Sequence, residues 1–213
     1  MHLKSLLTLI LLGTIFSFSS FSIELSTRYS DKKTQLEPTL EFAESIISIS
    51  ELSENYIYKK LYKKDYSTLK NSVLFGLASV PSAFLTIGTI ITVHEVGHAQ
   101  AIKGINGQQI KFGVGDSSDV GYYTLFFKSM FALSGTTSGF VFRTPENIAL
   151  VSGAGLSAEL ELLKRQTIKA MQLGGYNSVS SGIVFLSSMN HNLYSRRDMA
   201  SGDFNQYVNA INN

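Results

Sequence analysis

Residues 71–102 read NSVLFGLASVPSAFLTIGTIITVHEVGHAQAI, an apolar run that ends in a short group of ionisable side chains. No charged residue occurs in residues 71–93, and about twenty residues in a helix suffice to cross the hydrocarbon of a bilayer. The run then closes on the pattern H-E-x-x-H at residues 94–98. We therefore expect one long helix over residues 72–102, with His94 and His98 on its inward face at membrane depth.

The H-E-x-x-H pattern has a specific chemical meaning on a helix. Positions i and i+4 share one face, so His94 and His98 can hold one metal ion while Glu95 reaches the water bound to it. Two imidazoles and one further ligand leave an open position on Zn²⁺, where water becomes acidic enough to attack a carbonyl. A glutamate can take the proton of that water and return it to the leaving amine. The competing interpretation is a helix with polar residues packed in a core, but two histidines and a glutamate are costly to bury without a function.

The composition narrows the candidate ligands and partners. Cysteine is absent, so the chain offers neither disulfides nor thiolate ligands, and a metal must be held by His, Asp or Glu. The formal net charge is only +2 and the basic residues are spread along the chain, which predicts no nucleic-acid partner. The mean hydropathy of +0.12 leaves the membrane question open.

The chain before the apolar run divides into two parts. Residues 1–22 have a basic start, an apolar stretch and a small-residue end, which is the layout of a secretory signal peptide, with an N-terminal membrane anchor as the alternative. Residues 23–70 are more polar, and residues 36–52 carry apolar side chains at helical spacing, which predicts an amphipathic helix. Lysines and tyrosines follow, a composition typical either of a membrane interface or of a solvated helix face.

The chain after the motif changes from strand patterns to helix patterns. Residues 103–131 contain an alternating segment and a glycine-flanked polar turn, which predict a β-hairpin. Residues 148–163 are apolar and rich in small residues, which lets helices approach closely in a membrane. Further helices are expected within residues 170–195 and 204–211. The predicted fold is therefore mainly α, a membrane-embedded core of about three helices in residues 71–213, with a β-hairpin after the H-E-x-x-H helix.

Four successive features resemble the site-2 protease family of intramembrane zinc metalloproteases. The first is HEVGHA at residues 94–99, at the end of an apolar helix, which is close to that family's H-E-x-G-H-A form. The second is IKFGVG at residues 110–115, which resembles the glycine-bearing strand that the family places just after its motif helix. The third is IALVSGAGL at residues 148–156, which resembles the family's small-residue core helix, although the usual Gly-Pro is missing.

The fourth feature concerns the third metal ligand. Asn190 and Asp198 resemble the family's closing Asn…Asp element, in which the aspartate is the third zinc ligand. The family's prolines before that aspartate are absent and no glycine follows Asp198, so Asp203 competes with Asp198 for the role. The other roles open to these two residues are an ion pair with the neighbouring arginines for Asp198 and a helix N-cap for Asp203. Glu159 and His191 are alternative ligands, or groups that hydrogen-bond to a ligand.

The resemblance covers residues 72–203 and implies a zinc-dependent intramembrane endopeptidase, in which Glu95 activates a zinc-bound water. Its expected partners are a membrane-tethered protein or peptide substrate and the lipid bilayer. The expected location is a membrane, as a multi-pass integral protein, with the bacterial inner membrane as the compartment. Two other functions stay open: a membrane-anchored zinc peptidase with an aqueous site and Glu159 as third ligand, and a non-catalytic membrane scaffold with a retained metal site. The glutamate at position 95 favours an enzyme, because a structural pair of histidines needs no base there.

Overall fold

A computed structural model of the chain describes residues 35–61, 66–173, 178–196 and 203–212. Within these ranges it contains six helices and one three-stranded antiparallel sheet. In chain order the elements are α1 (Leu36–Leu61), α2 (Thr68–Gly104), β1 (Gln108–Val114), β2 (Ser117–Val120), α3 (Tyr122–Ala132), β3 (Thr136–Phe140), α4 (Pro145–Leu173), α5 (Ser178–Arg196) and α6 (Asp203–Asn212). The mainly α fold is confirmed; the expected core of about three helices is accompanied by α1, α3 and α6, of which α3 was not predicted. The predicted signal peptide or anchor, residues 1–22, lies outside the described residues.

Helix α2 is the central element, because α1, α3, α4 and α5 all pack against it. It begins after Ser67, whose side-chain oxygen accepts a hydrogen bond from the backbone N–H of Lys70, and it includes the whole of the predicted 72–102 helix. Its residues 92–99, which contain the motif, are all buried. The first half of α2 instead exposes large apolar side chains, namely Leu69, Val73, Phe75, Leu77, Val80 and Phe84. The helix is thus divided into an exposed, mainly apolar half and a buried half that carries His94, Glu95 and His98.

The number of candidate membrane crossings differs from the sequence prediction. In the described part of the chain, α2 is the one helix that is long and apolar enough to cross a membrane, and a shorter apolar segment lies in α5 at Val179–Met189. Helices α1 and α4 are also long, but acidic and basic side chains occur along both of them. The described residues therefore give one candidate crossing where the sequence predicted a multi-pass protein.

Helix α1 covers one side of the buried half of α2 with an apolar face. Leu40, Ala43, Ile46 and Ile47 recur at helical spacing and are almost completely buried. Phe42 adds an edge-to-face contact with Phe126 of α3, with the ring centroids 5.1 Å apart. The helix predicted over residues 36–52 is confirmed and continues to residue 61.

Helix α4 packs closely on α2 through small residues. A Cβ added at Gly97 would lie 2.6 Å from the backbone oxygen of Ala154 and 2.7 Å from the Cβ of Ala158. The two backbones therefore meet at a distance that only glycine allows. The small-residue helix predicted over residues 148–163 is confirmed, and it extends from Pro145 to Leu173. Thr144 caps its start, because its hydroxyl oxygen accepts a hydrogen bond from the backbone N–H of Asn147.

The sheet confirms the predicted hairpin and adds a third strand. Strands β1 and β2 pair antiparallel, and Gly115 in the turn between them has a positive φ of 54°. Strand β3 pairs with the other side of β1, so the strand order is β2-β1-β3 and β3 is an edge strand of the sheet in the described part of the chain. The sequence analysis predicted neither β3 nor α3, which begins inside the segment assigned to the hairpin. Strand β3 reads TTSGF and lacks the alternation of apolar residues by which strands are predicted.

The packing of α1 on α2 can be tested with two substitutions on the same helix. We expect Ile47→Ala to lower the free energy of unfolding by about 2–4 kcal/mol, because Ile47 is 0% exposed and its loss leaves a cavity. Leu52→Ala is the matched control, since Leu52 is 71% exposed. Thermal unfolding of the purified protein in detergent is the measurement. Equal shifts in the two variants would contradict the position of α1.

Candidate metal centre

Helices α2 and α6 bring three ligand-type side chains together from distant parts of the chain. His94 Nε2 lies 3.0 Å from His98 Nε2, and Asp203 Oδ2 lies 3.1 Å from each of these two nitrogens. Both histidines are buried, and Asp203 is partly buried. His94, His98 and Asp203 form a group that could hold a metal ion.

The second nitrogen of each ring is held by a hydrogen bond. His94 Nδ1 lies 2.6 Å from Glu159 Oε1, and His98 Nδ1 lies 2.7 Å from the backbone oxygen of Val151. A carbonyl or carboxylate oxygen only accepts, so each Nδ1 donates, and each ring in its neutral, metal-binding form presents the lone pair of Nε2. Two lone pairs and a carboxylate oxygen therefore converge on one place. Three acceptors at such short range are stabilised by a shared cation.

Gly155 of α4 faces this cluster and keeps the space beside it open. A Cβ added at this position would lie 2.5 Å from His98 Nε2 and 2.6 Å from His94 Nε2. It would fill the place toward which both nitrogens point. The glycine therefore forms the wall of a small cradle, and the donor set and the space together fit a metal ion.

Glu95 lies next to this group under the start of strand β3. It is 6% exposed, and the Thr137 hydroxyl lies 2.7 Å from its Oε2 and 2.9 Å from its backbone oxygen. A Cβ added at Gly135 would lie 3.0 Å from Glu95 Cγ, so the backbone before β3 approaches the glutamate closely. Thr137 therefore limits the orientation of the carboxylate. The sequence analysis missed Thr137, because no local pattern indicates that a polar strand returns to helix α2.

The other residues that the sequence analysis proposed for the site differ in where they lie and in what they contact. Asp203 is the acidic residue that joins the two histidines. Glu159 is 1% exposed and contacts His94 on the opposite side of the ring, so it orients the imidazole and is not part of the Nε2 group. Asp198 lies outside the described residues. Asn190 and His191 lie on α5, and their side chains are not within the described part of the structure.

The charge state of Asp203 suits a ligand. Burial on its own raises the pKa of this carboxyl, but in the metal-free site the adjacent imidazoles of His94 and His98 outweigh that effect and hold its pKa well below the usual range. Asp203 is therefore a carboxylate at neutral pH, the form that binds metal.

Comparisons with known proteins add no relative: no family model, no curated protein and no solved structure matches this chain. The resemblance to the site-2 protease family thus stays a prediction from sequence motifs. The chemistry of the site has to be argued from its geometry.

The cradle can be tested with a single methyl group. We expect Gly155→Ala to abolish stoichiometric metal binding, because the new Cβ would lie within 2.6 Å of both Nε2 atoms. Gly76→Ala is the control, since a Cβ there meets nothing within 4 Å. Metal content of the purified proteins by elemental mass spectrometry, alongside their circular dichroism, is the measurement. A folded Gly155→Ala protein with a full complement of metal would rule out this cradle.

Proposed function

We propose that this chain is a zinc-dependent endopeptidase that acts on a membrane-tethered protein or peptide, and that it is a distant member of the site-2 protease family. The observation that carries the proposal is the convergence of His94, His98 and Asp203, with Glu95 held beside them by Thr137. A metal site of this kind with an adjacent buried carboxylate is the arrangement that metal-assisted hydrolysis requires.

Zinc is the ion that suits these ligands best. Imidazole nitrogens and one carboxylate oxygen are common ligands of catalytic zinc, which keeps three protein ligands and one open position. Ligand atoms about 2.0–2.1 Å from a tetrahedral zinc lie roughly 3.3 Å apart. The separations of 3.0–3.1 Å among the three ligand atoms are close to that value. The hydrogen bond from His94 to Glu159 also matches the carboxylate–histidine–metal pairs of zinc enzymes.

The protein's own residues then have defined roles. When bound, zinc would act as a Lewis acid that polarises the scissile carbonyl and makes a coordinated water acidic. Glu95 is the general base, which accepts a proton from the attacking water and delivers it to the leaving amine. Thr137 positions the Glu95 carboxylate by its hydrogen bond to Oε2, and Glu159 positions the ring of His94. Burial of Glu95 and both histidines excludes bulk water and strengthens each of these interactions.

The free edge of β3 suggests how a substrate strand is held. Strand β3 pairs with β1 on one side and has no strand partner on its other side within the described residues, so that edge could pair with an extended peptide. Because Thr137 belongs to β3 and contacts Glu95, a peptide added along this edge passes beside the general base. Backbone pairing tolerates varied side chains, so the mode suits a protease with several substrates.

The exposed half of α2 supports an arrangement in a membrane. The six large apolar side chains exposed between Leu69 and Phe84 would be costly in water and are favourable in lipid. Lys70 lies at the start of this half with its Nζ 3.6 Å from the centroid of the Tyr66 ring, and such cation and aromatic pairs are typical of the membrane interface. We propose that α2 enters the bilayer with its first half and carries the metal ligands in its second half.

The aqueous peptidase and the scaffold remain the competing functions. The aqueous peptidase with Glu159 as third ligand loses support, because Glu159 contacts Nδ1 of His94 and not the Nε2 group. A structural zinc site is closed by four protein ligands, whereas three ligand-type side chains converge among the described residues. The enzyme is therefore the better-supported of these functions.

Metal analysis of two aspartate variants tests the ligand set. We expect one zinc ion per chain, and we expect Asp203→Ala to weaken zinc binding by more than the roughly 10- to 100-fold typical of an outer-shell partner. Asp198→Ala is the control and should keep the zinc. Zinc titration against a chelator of known affinity gives both values. Retention by Asp203→Ala together with loss in Asp198→Ala would assign the ligand to Asp198 instead.

The catalytic role is tested by Glu95→Gln. We expect this variant to keep its zinc and to lose about a hundred- to ten-thousand-fold in cleavage rate, because the amide cannot accept the proton of water. The assay counts new peptide ends by mass spectrometry, with a library of proteome-derived peptides in detergent. Glu161→Gln, on the exposed side of α4, is the control for loss of one negative charge. Full cleavage by Glu95→Gln would end the protease proposal, and a parent without cleavage would favour the scaffold.

A further inference from the structure

A groove of about 970 Å³ lies between strand β3, the start of α4 and helix α6. Apolar side chains make up much of its lining: Ile102, Phe140, Phe142, Ile148, Val151 and Ala210. Phe140 and Phe142 are more than 70% exposed, so they are available to a bound molecule. A groove with one free strand edge and apolar walls has the shape that an extended peptide fills.

The groove is continuous with the metal centre through three of its lining residues. Thr137 holds Glu95, and the backbone oxygen of Val151 holds His98. Gln206 lies one turn after Asp203 on α6, and its Oε1 accepts a hydrogen bond of 3.3 Å from Ser152 of α4. A chain seated in the groove therefore lies against the residues that position the base and the metal ligands.

Among the described residues that line this groove, Arg143 is the one with a charged side chain. It forms no ion pair within the residues that the structure describes. The nearest acid in sequence, Glu146, is engaged with its own backbone N–H and with Thr144 at the start of α4. The backbone oxygen of Phe142 accepts hydrogen bonds from Asn147 Nδ2 at 2.8 Å and from the backbone N–H of Thr144 at 3.0 Å, so the loop that carries Arg143 is fixed.

We infer that this groove binds an extended apolar peptide and that Arg143 recognises a carboxylate on it, from an acidic side chain or from a free C-terminus. Charge complementarity supports this occupant, because a guanidinium that has no ion-pair partner among the described residues, in an apolar groove, favours a carboxylate with two parallel hydrogen bonds. The inference rests on the proposed function for the statement that the bound peptide is a substrate. Arg143 is then the residue that determines specificity, at a distance from the chemistry.

Peptide binding to the full chain tests the inference without any cleavage. The protein carries Glu95→Gln, is loaded with zinc and is kept in detergent. The probes are three fluorescent twelve-residue peptides of Ala, Val and Ser: one contains a single Glu and has an amidated C-terminus, one contains Gln and a free C-terminus, and one contains Gln and an amidated C-terminus. Anisotropy titrations give the affinities, and the first two peptides separate the two sources of the carboxylate.

We expect at least one carboxylate-bearing peptide to bind about three- to fivefold more tightly than the neutral one, since an exposed ion pair contributes up to about a factor of five. Arg143→Gln should remove the difference, Arg143→Lys should keep part of it, and Arg143→Glu should favour a peptide with Lys in place of Glu. Lys164→Gln removes an exposed charge on α4 outside the groove and should leave the preference unchanged.

Equal binding of the three peptides, absence of peptide binding, or a preference that survives Arg143→Gln would each overturn the inference. The result is separable from the proposed function by a cleavage assay of the same peptides with Glu95 intact. Cleavage without a carboxylate preference would refute the role of Arg143 and leave the protease. A carboxylate preference without cleavage would refute the protease and leave the groove as a peptide-binding site.

Discussion

The convergence of two imidazole lone pairs and one carboxylate oxygen within about 3.1 Å is the constraint on which the rest of the structure depends. Three acceptors in a buried place repel one another unless a cation lies among them. The two rings point the same way only because Glu159 and Val151 of α4 hold their other nitrogens. The close approach of α4 to α2, made by Gly97 and the small residues of α4, therefore serves the candidate metal centre as well as the packing.

The two halves of α2 differ in their surroundings: the first is exposed and the second is packed inside the protein. Its first half is apolar and exposed, whereas its second half is enclosed by α1, α3, α4 and α5. His94, Glu95 and His98 lie in the enclosed half, where hydrogen bonds compensate for their burial. A charged motif at the end of an apolar run is consequently not a contradiction, because helices α4 and α6 and strand β3 supply the polar partners.

The sequence predicted the parts of this arrangement that depend on local periodicity. The long helix, the hairpin, the small-residue helix and the short last helix are all confirmed, because each has a pattern in its own residues. The roles of Glu159 and Asp203 could only be reduced to alternatives, since a carboxylate in a sequence does not reveal which ring nitrogen it will meet. Thr137 and strand β3 could not be predicted at all, because their importance comes from a contact with Glu95 across 42 residues.

The order of the ligands along the chain has a consequence for biosynthesis. His98 and Asp203 are separated by 105 residues, so a ribosome that adds about 5–20 residues per second needs roughly 5–20 s to supply the second after the first. During this interval the nascent protein has the histidine pair and Glu95, but the group of three ligand-type side chains is incomplete. The candidate metal site can therefore form only after most of the polypeptide has been made. A truncated translation product that ends before α6 would lack it.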